Sequence, residues 1–95
     1  MSAYVIAEVE VTDPETFEEY RSLVPATIEA FGGRYVVRGG AIEGREGGWQ
    51  PKRIVVIEFD DAARAKAWHD SDLYAPARAL REASARTRMI VVEGV

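Results

Sequence analysis

Ninety-five residues, 47% hydrophobic and 29% charged, describe a single globular domain over residues 1–95 and exclude a disordered chain. Twelve basic against sixteen acidic residues leave a net charge of −4, which argues against nucleic acid, because phosphate binding needs a clustered basic face. With no cysteine there is no disulfide framework, thiolate nucleophile or cysteine metal site, and no stretch approaches the ~20 apolar residues of a membrane span.

Residues 3–11 (AYVIAEVEV) alternate, with Val5, Ala7, Val9 and Val11 on one face, and the period of two predicts a strand. No charged leader precedes it, so no signal peptide is expected and a cytoplasmic location is. Asp13-Pro14-Glu15 then supplies an N-cap, a proline at the first helical position and an acid in the first turn. Phe17, Tyr20, Val24, Ile28 and Phe31 follow at helical spacing until Gly32-Gly33 stops the helix, and Pro25 should bend it.

A second strand is expected over residues 34–39 (RYVVRG), followed by a glycine-rich connection from Gly40 to Lys52 that contains Trp49 and Pro51. Arg53 to Phe59 (RIVVIEF) is the strongest strand pattern. Asp60-Asp61 cap an alanine-rich helix that reaches Trp68 or His69. Ser71 can cap a further helical segment through Arg86, with Leu73, Ala77, Leu80 and Ser84 on its buried side. Met89 to Val95 closes the chain as a strand.

Strand, helix, strand, strand, helix, strand is the ferredoxin-like βαββαβ order. It predicts an α+β fold with a four-stranded antiparallel sheet and both helices on one face. Both faces of the third strand are substantially apolar: Val55, Ile57 and Phe59 on one side, Ile54 and Val56 beside Glu58 on the other. A sheet wetted on one side alternates more cleanly, so the second face is expected to meet a copy of itself in a two-fold homodimer. A chain this short buries only a little over ~60% of its unfolded surface, which makes such a supplement natural.

The run Phe31 to Gly40 (FGGRYVVRGG), the approach Trp49-Gln50-Pro51-Lys52-Arg53 and the strand end Val56-Ile57-Glu58-Phe59 resemble a known family. So do the break from Ala67-Trp68-His69 to Ser71-Asp72-Leu73-Tyr74, Arg81, and the closing Val92-Glu93-Gly94. The family is domain of unknown function 1330. The resemblance implies a dimeric α+β barrel, two ferredoxin-like units joined sheet to sheet, and it implies no reaction. Related barrels host cofactor-free oxygenases, isomerases and haem-binding enzymes, an analogy of fold alone. Family members commonly place proline after the serine and an acid beside the tyrosine. Here Asp72-Leu73 stands there and the proline comes at Pro76, which bears on where the last helix begins.

The only histidine, His69, lies beside Trp68 and is followed by Ser71, Tyr74 and Arg78, so this helix break gathers most of the reactive side chains. His69 is the natural acid or base near neutrality, and Asp70 or Asp72 could orient its ring. The plainer reading is a histidine at a helix end that stabilises the last carbonyls. One imidazole makes no transition-metal site, and no metal or other cofactor is expected. Ser71 fits a cap better than a nucleophile, there being no G-x-S-x-G elbow. Tyr74 and Arg78, four apart, share a helical face and could clamp an anion or carbonyl; alternatively Arg78 pairs with Glu82.

His69, Tyr74 and Arg78 are thus the candidate catalytic residues, with Tyr20, Tyr35, Arg38, Trp68 and Ser71 as candidate ligand contacts. By alternation Glu8, Arg38 and Glu58 are expected together on the partner-facing side, as an interfacial ion network or as a carboxylate base enclosed in a barrel. Trp49 is expected as a lid or an anchor on the neighbouring subunit.

Two functions compete. One is a small-molecule-binding or enzymatic dimer that takes an anionic or aromatic compound between sheet and helices without a metal. The other is a non-catalytic dimerisation or regulatory module, which predicts a filled interior, indifference to alanine at His69 and a weaker dimer on Arg38→Ala.

Overall fold

The computed structural model describes residues 1–95. Strand β1 (Ala3–Val11) leads into helix α1 (Pro14–Ala30), strands β2 (Arg34–Arg38) and β3 (Ile54–Phe59), helices α2 (Ala62–Asp70) and α3 (Ala75–Ser84), and strand β4 (Ala85–Glu93). The strands form one antiparallel sheet in the order β2-β3-β1-β4. This is the expected ferredoxin-like α+β arrangement, with the second helix divided in two.

The local chemistry explains the element ends. Asp13 caps α1 by accepting from the Thr16 amide at 3.4 Å, and Asp61 caps α2 by accepting from the Arg64 amide at 2.8 Å. Gly32, with φ of 75°, supplies the left-handed residue that ends α1. Gly33 then donates to the Ile28 carbonyl and passes so close to Phe59 that no side chain fits there.

The core lies between the sheet and the helices. Val5, Ile57 and Phe59 meet Val24 and Ile28 of α1, Ala65 and Trp68 of α2, and Tyr74 and Ala77. Full burial of each large aliphatic or aromatic side chain here stabilises by about 1.5–3 kcal/mol as an upper bound.

Two boundaries differ from the sequence expectation. β4 starts at Ala85, not Met89, because the whole of β1 pairs with it, from Ala3↔Glu93 to Val11↔Ala85. Ladder bonds along the last turn of β1 outweigh helix propensity at residues 85–88. α3 therefore runs straight into β4 with no connector, and the Ser84 carbonyl accepts the Thr12 and Asp13 amides at 2.8 and 3.0 Å. Leu73 is 54% exposed, whereas Tyr74, Ala77, Arg81 and Ser84 form the buried side of α3 and its entry.

The helix-free face carries an aliphatic residue from every strand in one row. Val37 opposes Val56, Val56 opposes Ile6, and Ile6 opposes Ile90. Ion pairs flank the row on both sides. Arg34 Nε donates to Glu58 at 2.8 Å, Arg88 Nε donates to Glu8 at 2.9 Å, and the Trp49 indole also donates to Glu8 at 2.9 Å. Ile90 and Trp49 remain 59% and 60% exposed on this side.

Arg38 is not part of that face. A bulge after Tyr35 sets Val37 opposite Val56 and Arg38 opposite Val55, so Arg38 turns toward the helices. The expected grouping of Glu8, Arg38 and Glu58 is corrected accordingly: the carboxylates take Arg88 and Arg34 as partners instead.

Candidate functional site

A recess opens between the sheet and α1, beneath the mouth of the β2–β3 hairpin. Val9, Val55 and Ile57 form its floor, Phe17, Tyr20 and Val24 one wall, and Tyr35, Trp68 and Met89 further apolar surface. Four guanidiniums, from Arg21, Arg38, Arg53 and Arg81, complete the lining, and no carboxylate does. In a chain of net charge −4, this is the one principal hollow whose basic residues come without a carboxylate beside them; the others mix arginine or lysine with aspartate or glutamate. Its free interior is about 30 Å³, room for a water or two, and it opens to solvent at the mouth.

Each arginine is positioned by its element. Arg21 stands one turn beyond Phe17 on α1 and pairs with Glu18 at 2.9 Å. Arg53 precedes β3, on the same side as Val55 and Ile57, with its guanidinium 5.8 Å from the Phe17 ring centre. Arg38 lies 4.5 Å over the Tyr35 ring and donates to the Arg21 carbonyl at 3.2 Å. The Nε–H groups of Arg21 and Arg53 are buried without a hydrogen-bond partner. Burial lowers the pKa of Arg53, and the charges of Arg21 and Arg38 add to the effect. An incoming anion would relieve both the repulsion and the unpaired donors.

The inner end is phenolic. Arg81, 8% exposed and without a carboxylate partner, donates from Nε to the Tyr74 hydroxyl at 3.3 Å. Tyr74, fully buried, lies 3.1 Å oxygen to oxygen from Tyr20. Burial first, and the neighbouring Tyr74 second, push the Tyr20 phenol well above its ordinary pKa, so it stays protonated as a donor. Burial likewise raises Tyr35.

Of the residues singled out in the sequence, Tyr20, Tyr35, Arg38 and Trp68 line the recess. Trp68 is held there by stacking on Tyr74, with ring centres 4.2 Å apart, and by its indole N–H donating to Thr27 Oγ1 at 3.0 Å. Tyr74 does not line the recess but touches three residues that do, Tyr20, Arg81 and Trp68.

His69, Ser71 and Arg78 are not brought to it. His69 lies beyond Trp68 in a shallow outer hollow with Lys66, Asp70, Met89, Ile90 and Val91, its Nδ1 3.5 Å from Asp70. Arg78 donates to the His69 carbonyl at 3.3 Å and so closes the end of α2; it does not clamp with Tyr74. Ser71 accepts from the Tyr74 amide at 3.1 Å and donates to the Trp68 carbonyl at 2.8 Å, which joins the two helices.

Sequence reasoning gives no site role to Arg21, Arg53 or Arg81, although Arg53 and Arg81 belong to the segments that carry the family resemblance. The signal was present, since each falls on a buried phase: 17, 21, 24, 28 on α1, 53, 55, 57, 59 on β3, and 77, 81, 84 on α3. A charged residue in register with a core stripe is itself informative.

Solved structures share the fold throughout the chain. A protein of unknown function from Rhodopseudomonas palustris matches with a TM-score of 0.77 at 15% identity, over 99% of this chain and 82% of its own. A dimeric ferredoxin-like protein of unknown function from Jannaschia sp. CCS1 matches at 0.73 and 14%, over 99% and 100%. SnoaB, a cofactor-independent oxygenase from Streptomyces nogalater, matches at 0.65 and 12%, over 99% and 93%. No curated protein matches the sequence significantly. No helix is long and apolar enough to cross a membrane. The family of domain of unknown function DUF1330 matches residues 2–95, and the chain belongs to it.

Proposed function

We propose that this protein binds a small anionic metabolite with an apolar or aromatic body in the recess between sheet and helices, as a homodimer joined through the helix-free face. One observation carries the reading: four arginines and no acid line an otherwise apolar cleft of an acidic protein. The guanidiniums would hold the anion bidentately while Phe17, Tyr20 and Tyr35 take the body. The groups available for chemistry are phenols and guanidiniums, which polarise an oxygen and hold a proton. The aliphatic row Val37–Val56–Ile6–Ile90, framed by ion pairs, supports the dimer, and so does the dimeric relative from Jannaschia.

Thermal shift and calorimetry with benzoate and its neutral analogue benzamide test the binding. Benzoate should stabilise the protein and lose its effect in Arg53→Met, whereas benzamide should do little. Equal responses to the two compounds would overturn the reading. The narrow interior favours a second reading, a non-catalytic dimerisation module, in which no small molecule shifts the melting temperature.

A further inference from the structure

The three tyrosine and arginine side chains at the inner end form a hydrogen-bond chain whose direction follows from counting donors. Arg81 offers only N–H groups, so the Tyr74 oxygen must accept from it. The Tyr74 proton then needs an acceptor, and in its fully buried position the Tyr20 oxygen is the sole one within reach. Were Tyr20 to donate to Tyr74 instead, the Tyr74 proton would be buried and unpaired, a loss comparable to a broken hydrogen bond. Tyr74 therefore donates to Tyr20. The Tyr20 proton is left without a protein partner, on a side chain that lines the recess. A cation behind two linked hydroxyls polarises each in turn, so the last proton is a stronger donor than an isolated phenol.

The mouth and the inner end thus ask for two different groups. The mouth has three arginines with two buried, unpaired N–H groups; the inner end has one charge-backed hydroxyl.

We infer that the ligand class is a carboxylic acid bearing a second oxygen, phenol or carbonyl, with the carboxylate at Arg21, Arg38 and Arg53 and the second oxygen accepting from Tyr20. This rests on the recess being the binding site and goes beyond it by naming what the far end of the ligand carries. Tyr74, which does not line the recess, acts as a positioning residue that reaches the ligand through Tyr20, and Arg81, on the wall itself, supplies the charge behind the two hydroxyls. A phenol held there would give up its own proton more easily, since its oxyanion is what Tyr20 stabilises best.

The test uses benzoate, 3-hydroxybenzoate and 4-hydroxybenzoate, titrated into the intact protein by calorimetry. At least one hydroxybenzoate should bind the wild type roughly tenfold tighter than benzoate, the range of a hydrogen bond from a charge-assisted donor. That ratio should fall to about one in Tyr20→Phe. Should the variant fail to fold, wild-type protein still answers: the ultraviolet absorbance of the bound hydroxybenzoate should report phenolate forming at lower pH than in free solution, and Arg81→Met should reduce the displacement. A ratio near one in the wild type, with the phenolate transition unmoved, overturns the inference while leaving an anion-binding recess intact. Absence of binding by all three carboxylates overturns both.

Discussion

Replacing Gly33 by alanine links the core to the recess and can be worked out from the structure. A Cβ at this position would lie 2.6 Å from Phe59 Cε1, 2.8 Å from Ile28 Cγ2 and 2.9 Å from Phe59 Cζ. Ordinary contact begins near ~3.5 Å, so Phe59 must retreat by the better part of an ångström. It has nowhere to go: it is 1% exposed and its ring centre is 5.6 Å from that of Trp68, which in turn stacks on Tyr74. Overpacking of this kind costs about 1–3 kcal/mol. For a domain of this size, each kcal/mol moves the melting temperature by about 4–8 °C, so a fall of roughly 4–24 °C is expected, about 8–16 °C at the middle of the range of cost.

Differential scanning calorimetry on Gly33→Ala beside Gly40→Ala measures it. A Cβ at Gly40 meets nothing within 4 Å, and that variant should melt within a degree or two of the wild type or slightly above it. Because Trp68 lines the recess, near-ultraviolet circular dichroism of Gly33→Ala should change too. If Gly33→Ala melts like Gly40→Ala, the close approach of α1's end to β3 is not as described, and the packing argument fails.

Thr27→Val removes the acceptor of the buried Trp68 indole and should destabilise by about 1–3 kcal/mol in urea unfolding, with Thr27→Ser close to wild type. Ile6→Lys places a charge at the centre of the aliphatic row. On the proposed dimer, the wild type should sediment as a dimer and the variant as a folded monomer, because an enclosed unpaired ion costs several kcal/mol. Glu8 is held below its ordinary pKa of 4.5 by the Trp49 and Arg88 hydrogen bonds, and Glu58 below the same value by Ser2 and Arg34. A carboxylate depressed in the folded state stabilises above the unfolded pKa and loses that contribution as pH falls through the folded one. The melting temperature should therefore drop as pH is lowered from about 4.5, and the double variant Glu8→Gln, Glu58→Gln should flatten that part of the profile.

Most of the fold was legible because two periodicities survive in the sequence. β1 alternates without interruption, so its core face was readable directly, and the Asp-Pro and Gly-Gly signals bounded α1 within a residue or two. What was illegible has a physical cause in each case. Alternation cannot count through a bulge, so everything after Val36 in β2 was assigned to the wrong side, Arg38 with it. On α3 the leucines at 73 and 80 drew the buried stripe one position off, because hydrophobicity was weighed above phase. The true stripe holds Tyr74 and Arg81, and their polarity is tolerated because they satisfy one another. The lone histidine has the chemistry of a site residue, but local sequence does not fix which side of Trp68 it takes, and it falls in the outer hollow.

The seamless passage from Ser84 to Ala85 makes the last strand unforgiving of insertions. One added residue at this seam would carry Ile90 and Val92 from the helix-free side to the helical one, and would bring Thr87 and Met89 out in exchange. The stretch from Gly40 to Gly48, ahead of the Trp49 anchor, lies outside every helix and strand, so a reporter can be spliced into it, while drift in length at the α3–β4 seam is barred by the pleat itself.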